Sequence, residues 1–216
     1  MALANYSDLR SSVANWLHRQ DLTATIPDFI AMAEIRLSRD LRISPLLSSS
    51  SLTVAAAGSS VSLPADFMEI VNLRIGPSGA ELHYVPPDTL DRVTGGTVPW
   101  AYTLRSGVIE IAPAWTAGGS LSMYYMKKET PLSDTNATNW YITNAPDALL
   151  YAALLEASPY LMNDSRVDIW EKFYKRSVDA LNTQYGATDP HRRMLAHAAG
   201  VAPASNLNVA SAGPNG

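Results

Sequence analysis

The side chains that do chemistry are sparse in this sequence, and few stand at usable spacings. The histidines are His18, His83, His191 and His197. The last two are six positions apart, which is not one helical turn, and no carboxylate accompanies them at ligand spacing, so no metal site is expected. There is no cysteine, which excludes disulfides, thiolate ligands and a cysteine nucleophile. The nucleophile elbow G-x-S-x-G, the phosphate-cradling glycine loop closed by Lys-Ser/Thr and the zinc-binding H-E-x-x-H are all missing from the sequence. Glu69, Glu81, Asp88, Asp91 and Glu110 lie in a strand-rich region. Two of them could supply the acid and the nucleophile or base of a glycoside hydrolase, but nothing in their spacing selects a pair. Trp100, Trp115 and Tyr124-Tyr125 could stack on a sugar or a base; at strand spacing such rings more often form core and rim. The pairs Lys127-Lys128 and Arg192-Arg193 are isolated on an acidic chain and read as solvated. No cofactor is implied.

Composition narrows the classes further. The chain has 216 residues, 47% hydrophobic and 17% charged, with 16 basic against 20 acidic residues and a net charge of −4. That is the profile of one globular domain with a possible extension, large enough to bury a core without staples. The acidic balance argues against a dedicated nucleic-acid binder. No secretion signal is expected at the start, and the longest apolar stretches, such as Ala148 to Leu155, fall well short of the ~20 residues that a membrane span needs.

The elements that must position these residues follow from periodicity. Tyr6, Leu9, Val13, Trp16 and Leu17 share one face of a helix that Asn5 or Ser7 can cap. A second helix opens at Thr25-Ile26-Pro27-Asp28 and carries Ile26, Phe29, Ile30, Ala33, Leu37 and Leu41 to a stop at Pro45. The pattern then changes to about seven short strands. Hairpins are expected at Ala57-Gly58-Ser59, at Gly76 to Gly79 and at Ser106-Gly107, so antiparallel pairing is favoured, with a short helix over Asp88 to Val93. The helical period returns at Asn144, a cap candidate, followed by Pro146 and Asp147 in the first turn. Leu149, Leu150, Ala153, Leu154 and Ala157 make this helix apolar nearly all round, hence central, and Pro159 weakens its end. A fourth helix starts near Asn163-Asp164-Ser165, places Val167, Trp170, Phe173, Tyr174, Val178 and Leu181 on one face, and ends at Gly186. Trp170, Phe173 and Tyr174 at this helical spacing read as core, although one of the three could remain at a subunit interface. From Thr188 on, the chain is rich in Ala, Gly, Pro, Asn and Ser, with no sustained period. Such a segment cannot bury enough apolar surface to offset its ordering entropy alone, and is expected to be a tail or an arm that orders on a partner.

Four segments together resemble the head-to-tail adaptor (connector, or head-completion) proteins of tailed bacteriophages, which dock under the portal ring of short-tailed phages. They are Ile26 to Leu41, with Pro27, Phe29 and Leu37; Val61 to Phe67, with Pro64 and Phe67, followed by Glu69; Asn139 to Tyr151, with Trp140, Pro146, Asp147 and Tyr151; and Glu156 to Leu161 with Trp170 downstream. The resemblance covers residues ~5 to 185 in family order and implies an α+β fold. N- and C-terminal helices would form one bundle (residues 1–45 and 144–187), a β-rich antiparallel insertion would occupy 46–143, and 188–216 would be an extended arm. It also implies a homo-oligomeric ring, usually of twelve copies, at the head–tail junction of the virion, assembled in the bacterial host cytoplasm. The portal would lie above and a tail nozzle or tail-tube protein below. Genomic DNA would pass through the lumen without sequence-specific binding, and no membrane is involved. The family motifs carry no catalytic residue, so an enzyme is not expected.

The residues themselves fit such an arm. Met194, Leu195, Val201, Leu207 and Val209 are apolar anchors spaced among small residues, and Arg192 and Arg193 could pair with portal carboxylates. Two other classes stay open at this point: a tail-associated cell-wall hydrolase, and a carbohydrate-binding module using Trp100 or Trp115.

Overall fold

The computed structural model describes residues 3–19, 21–161 and 165–186. Helix α1 (Tyr6–Leu17) begins where Asn5 accepts the Asp8 N–H on its Oδ1 at 2.9 Å, and it stops at His18, whose left-handed backbone (φ 52°) sends its N–H back to the Ala14 carbonyl. Tyr6, Leu9, Val13 and Leu17 are buried, but Trp16 is 39% exposed, although the period placed it on the same face. Helix α2 (Ile26–Asp40) has Pro27 in its first turn and buries Ile26, Phe29, Ile30, Ala33 and Leu37.

The end of α2 comes before Pro45. Leu41 is already extended (φ −97°, ψ 126°), while Pro45 belongs to a 3₁₀ turn, Ser44–Leu46. The Arg42 guanidinium explains the early stop. Its Nη1 donates to the carbonyls of Ser38, Arg39 and Leu41 at 2.9 to 3.0 Å, taking up groups that the helix end leaves unpaired. Leu41 and Ile43 then enter the core from extended backbone.

Seven strands follow: β1 (Leu47–Val54), β2 (Gly58–Ser62), β3 (Phe67–Ile75), β4 (His83–Tyr84), β5 (Ala101–Arg105), β6 (Val108–Trp115) and β7 (Gly119–Lys127), with a short helix α3 (Pro87–Leu90) between β4 and β5. They form two sheets, ordered β1-β7-β3 and β2-β6-β5-β4. The hairpin expected at Ala57-Gly58-Ser59 does not form. Strand β1 pairs with β7 and β2 with β6, so the chain crosses from one sheet to the other at this bend. Turn residues there mark a change of direction but not which strands pair. Antiparallel pairing also fails once, at β4–β5, which run parallel with His83 opposite Ala101; the connection through α3 allows it. The β5–β6 hairpin forms as expected, with Ser106 (φ 52°) and Gly107 (φ 79°) supplying the two positive φ angles that its two-residue turn needs.

Alternation along β7 sorts the layers. Leu121, Met123 and Tyr125 join Leu52, Val54, Leu73, Ile109 and Ile111 between the two sheets. Met126 and Val71 lie instead in the cluster built by the helices. The first sheet is therefore a shared middle layer, with helices on one side and the second sheet on the other.

After β7 come α4 (Trp140–Asn144), α5 (Pro146–Glu156) and α6 (Arg166–Gly186). Asn144 is not the cap of α5. It ends α4, a helix that periodicity did not separate, and α4 is capped by Asn139, whose Oδ1 accepts the Ile142 N–H. Helix α5 is central, as its composition implies: Ala148, Leu149, Leu150 and Ala152 to Leu155 are buried, against α1, α2, α4 and α6. On α6, Trp170, Tyr174 and Val178 are buried while Phe173 is 41% exposed. It sits roughly 100° around the helix from Tyr174, off the buried stripe. The fold is thus α+β, with N- and C-terminal helices sharing one core. The expected arm, 188–216, lies outside the described residues.

Candidate functional site

Four of the five carboxylates singled out in the β region are paired with arginines, and the fifth, Asp88, lies in α3. Glu69 lies 3.5 Å from Arg42 and Glu81 3.6 Å from Arg74. Arg105 reaches Asp91 at 3.0 Å and Glu110 at 3.2 Å. The last three tie the end of α3 to the β5–β6 hairpin, beside a concavity of about 610 Å³ that Ser60, Gly96 and Thr116 also line. Asp91 and Glu110 are thus joined through one guanidinium, an arrangement that fixes α3 on its sheet. The aromatic platform does not assemble either. Trp115 is 8% exposed and packs in the sandwich, with its ring where a Cβ on Gly119 would stand, whereas Trp100 is 50% exposed. Tyr125 is buried and donates to Asp66 at 3.0 Å, while its neighbour Tyr124 points outward.

The most organised polar site is the junction between α2 and the segment leading from β7 to α4. Glu34 of α2 is 8% exposed, yet its carboxylate accepts the Leu132 N–H at 3.1 Å and the Asn139 side-chain N–H at 2.6 Å. Burial pushes its pKa above the usual 4.5, against the pull of these two donors. Asn139 acts twice, since its Oδ1 caps α4 while its Nδ2 holds Glu34. Glu129 continues the network, paired with Lys127 at 2.8 Å and accepting the Trp140 N–H at 3.3 Å. A cavity of about 90 Å³ lies between Glu34, Lys128, Glu129 and Tyr141. The Tyr141 hydroxyl is buried there without a protein partner, and burial raises its pKa. Sequence reasoning missed Glu34 because a glutamate in a helix reads as solvent-facing; the signal that could have found it is its place on the same stripe as Ile30, Ala33 and Leu37.

Most of the family-motif residues come together in one core. Phe29, Leu37 and Trp170 are buried in the helical cluster, and Trp140 and Tyr151 pack against it. Pro146 opens α5 and the adjacent Asp147 accepts the Ser177 hydroxyl of α6 at 2.5 Å. Pro27 opens α2. Pro64 and Phe67 stand apart, at the sandwich: the Phe67 N–H donates to the Pro64 carbonyl at 3.1 Å and the ring lies 6.0 Å from that of Tyr125. The proposed portal contacts Arg192, Arg193, Met194, Leu195, Val201, Leu207 and Val209 are outside the described residues. Among the described residues no group of three His, Asp or Glu is placed to hold a metal, and no helix is long and apolar enough to cross a membrane.

The family model for the SU10 adaptor protein matches residues 4–196, that is, the helices at both ends and the whole sandwich between them. Among curated proteins none matches the chain. With a match over most of its length, this chain belongs to the SU10 adaptor protein family of phage head–tail adaptors.

Proposed function

We propose that copies of this chain form a closed ring of roughly twelve beneath the portal, joining head to tail and extending the conduit for the genome. The observation that carries this reading is the family match, which spans both helical segments and the strands and so concerns the whole folded unit. The role is structural, at the head–tail junction of a virion built in the host cytoplasm, with a tail nozzle or tail-tube protein docking below. DNA passes through without base-specific contact, consistent with a net charge of −4.

Within this reading the helical bundle (1–45 and 144–187) is the ring body, 46–143 is an insertion projecting from it, and 188–216 is the portal-binding arm. The arm has Arg192 and Arg193 for portal carboxylates, and Met194, Leu195, Val201, Leu207 and Val209 for shallow apolar sites. Shielded charge-assisted contacts contribute ~1.5–3 kcal/mol each, repeated in every copy. Removing 188–216 and sedimenting the shortened chain with portal rings tests the assignment. Loss of co-sedimentation supports the arm; unchanged affinity transfers the docking surface to the bundle.

A further inference from the structure

The helical bundle exposes two unlike apolar patches on opposite flanks. Around α5 only Tyr151 and Glu156 escape full burial between Ala148 and the helix end, and they stand roughly 140° apart about the helix axis. On the Tyr151 flank, Trp16 meets Tyr151 edge-on at 6.0 Å, and Tyr151 stacks on Phe173 at 5.3 Å. With Ile169 one turn before Phe173, this forms a projecting aromatic edge in which Trp16, Phe173 and Ile169 are 39%, 41% and 50% exposed. On the Glu156 flank, α2 presents Met32 (50% exposed) and Ile35 (40%) along a groove of about 420 Å³ that Arg39, Asp40 and Glu156 also line.

We propose that these flanks are the two halves of one head-to-tail contact: the Trp16–Phe173 edge of one copy seats in the α2 groove of the next. The inference rests on the ring reading above and supplies its interface. Three features select a second copy as the occupant. The patches differ in shape and lie on different sides of one molecule, the requirement for a heterologous contact that closes a ring and not a two-fold dimer. The charges permit the contact: Arg36 and Arg39 balance Asp40 and Glu156 in the groove, Glu156 being paired with Arg36 at 2.6 Å, while Asp28, one turn before Met32, adds negative charge opposite Lys172 and Arg176, which lie beside the aromatic edge on α6. Arg39 has no ion pair among the described residues and stands in the groove, where an incoming ring would offer its face to the guanidinium. The surplus aromatic on α6 thereby acquires a use.

The chain has no cysteine, so single-cysteine variants report this contact cleanly. Met32→Cys and Phe173→Cys, both at exposed positions and checked for folding by circular dichroism, are treated with a short bismaleimide in the presence of portal rings. Light scattering reads assembly in parallel. An equimolar mixture of the two variants should give a mixed dimer, with each variant alone giving at least about tenfold less homodimer. The double variant should give a ladder of multimers. Homodimer from Met32→Cys alone as the main product overturns the proposal in favour of a two-fold contact. Assembly on the portal without mixed dimer overturns it and leaves the ring reading standing; so does cross-linking of either cysteine to the portal, or coverage of a patch by the chain's own 188–216 segment, since neither yields the mixed dimer. Failure of both assembly and cross-linking removes both readings.

Discussion

Replacing Glu34 by alanine perturbs the joint between the helices and the strands at its buried carboxylate. Two hydrogen bonds go: the one from the Leu132 N–H, at 3.1 Å, and the one from Asn139, at 2.6 Å. Leaving the Leu132 donor buried and unpaired costs ~1–3 kcal/mol, and bonds to a charged acceptor contribute ~1.5–3 kcal/mol each. Asn139 loses less, because it keeps the Thr130 carbonyl at 3.1 Å. Against this, the variant no longer has to bury a carboxylate, a penalty visible in the raised pKa. The net is a loss of about 2 kcal/mol near neutral pH.

The pH dependence gives the sharper test. A carboxyl with a raised folded-state pKa binds its proton more tightly in the native than in the unfolded chain. Its stabilising effect is complete below the ordinary value of 4.5 and is lost as pH rises through the raised native value. Glu34→Ala should therefore destabilise more in mild acid than at neutral pH. Urea melts followed by tryptophan fluorescence, on wild type and variant side by side, cancel the other carboxylates. A difference below about 0.5 kcal/mol at both pH values, or a larger difference at neutral pH, refutes the reasoning.

Leu150 and Leu154 on α5 are 5% and 0% exposed, so either one changed to alanine should cost on the order of 2–5 kcal/mol in urea melts. The chain shortened by removing 188–216 should retain near-normal thermal unfolding, since Trp170, Tyr174 and Val178 already bind α6 into the core without it.

Much of the fold is legible because its helices have strong periods and recognisable ends. Asn5 caps α1, Pro27 and Pro146 open α2 and α5, and the apolar run from Ala148 marks the central helix. Local signals fail where tertiary contacts decide. The bend at Ala57-Gly58 looks like a hairpin turn, but the partner of β1 is β7, more than sixty residues away in the chain, and no local residue encodes that choice. The same holds for the parallel β4–β5 pair. Helix α4 has only five residues, too short to show a period, and Asn139 is its one local sign. Helical spacing groups Phe173 with Trp170 and Tyr174, yet it sits at the edge of the buried stripe, stacked on Tyr151 of α5 and 41% exposed. For the site, the Glu34 junction depends on Leu132 and Asn139, 98 and 105 positions further along the chain, and no local residue encodes their arrival; the tail's cations and anchors lie outside the described residues.

The central claim is that this chain is an adaptor that assembles on a partner. Particle mass by light scattering, with electron micrographs of the same samples, tests it most directly when the protein is measured alone at low concentration and again with isolated portal rings. The account predicts monomer alone, and a ring of copies stacked on the portal when both are present. A stable ring without portal contradicts the partner dependence, and a portal that stays bare in the presence of excess protein contradicts the adaptor role itself.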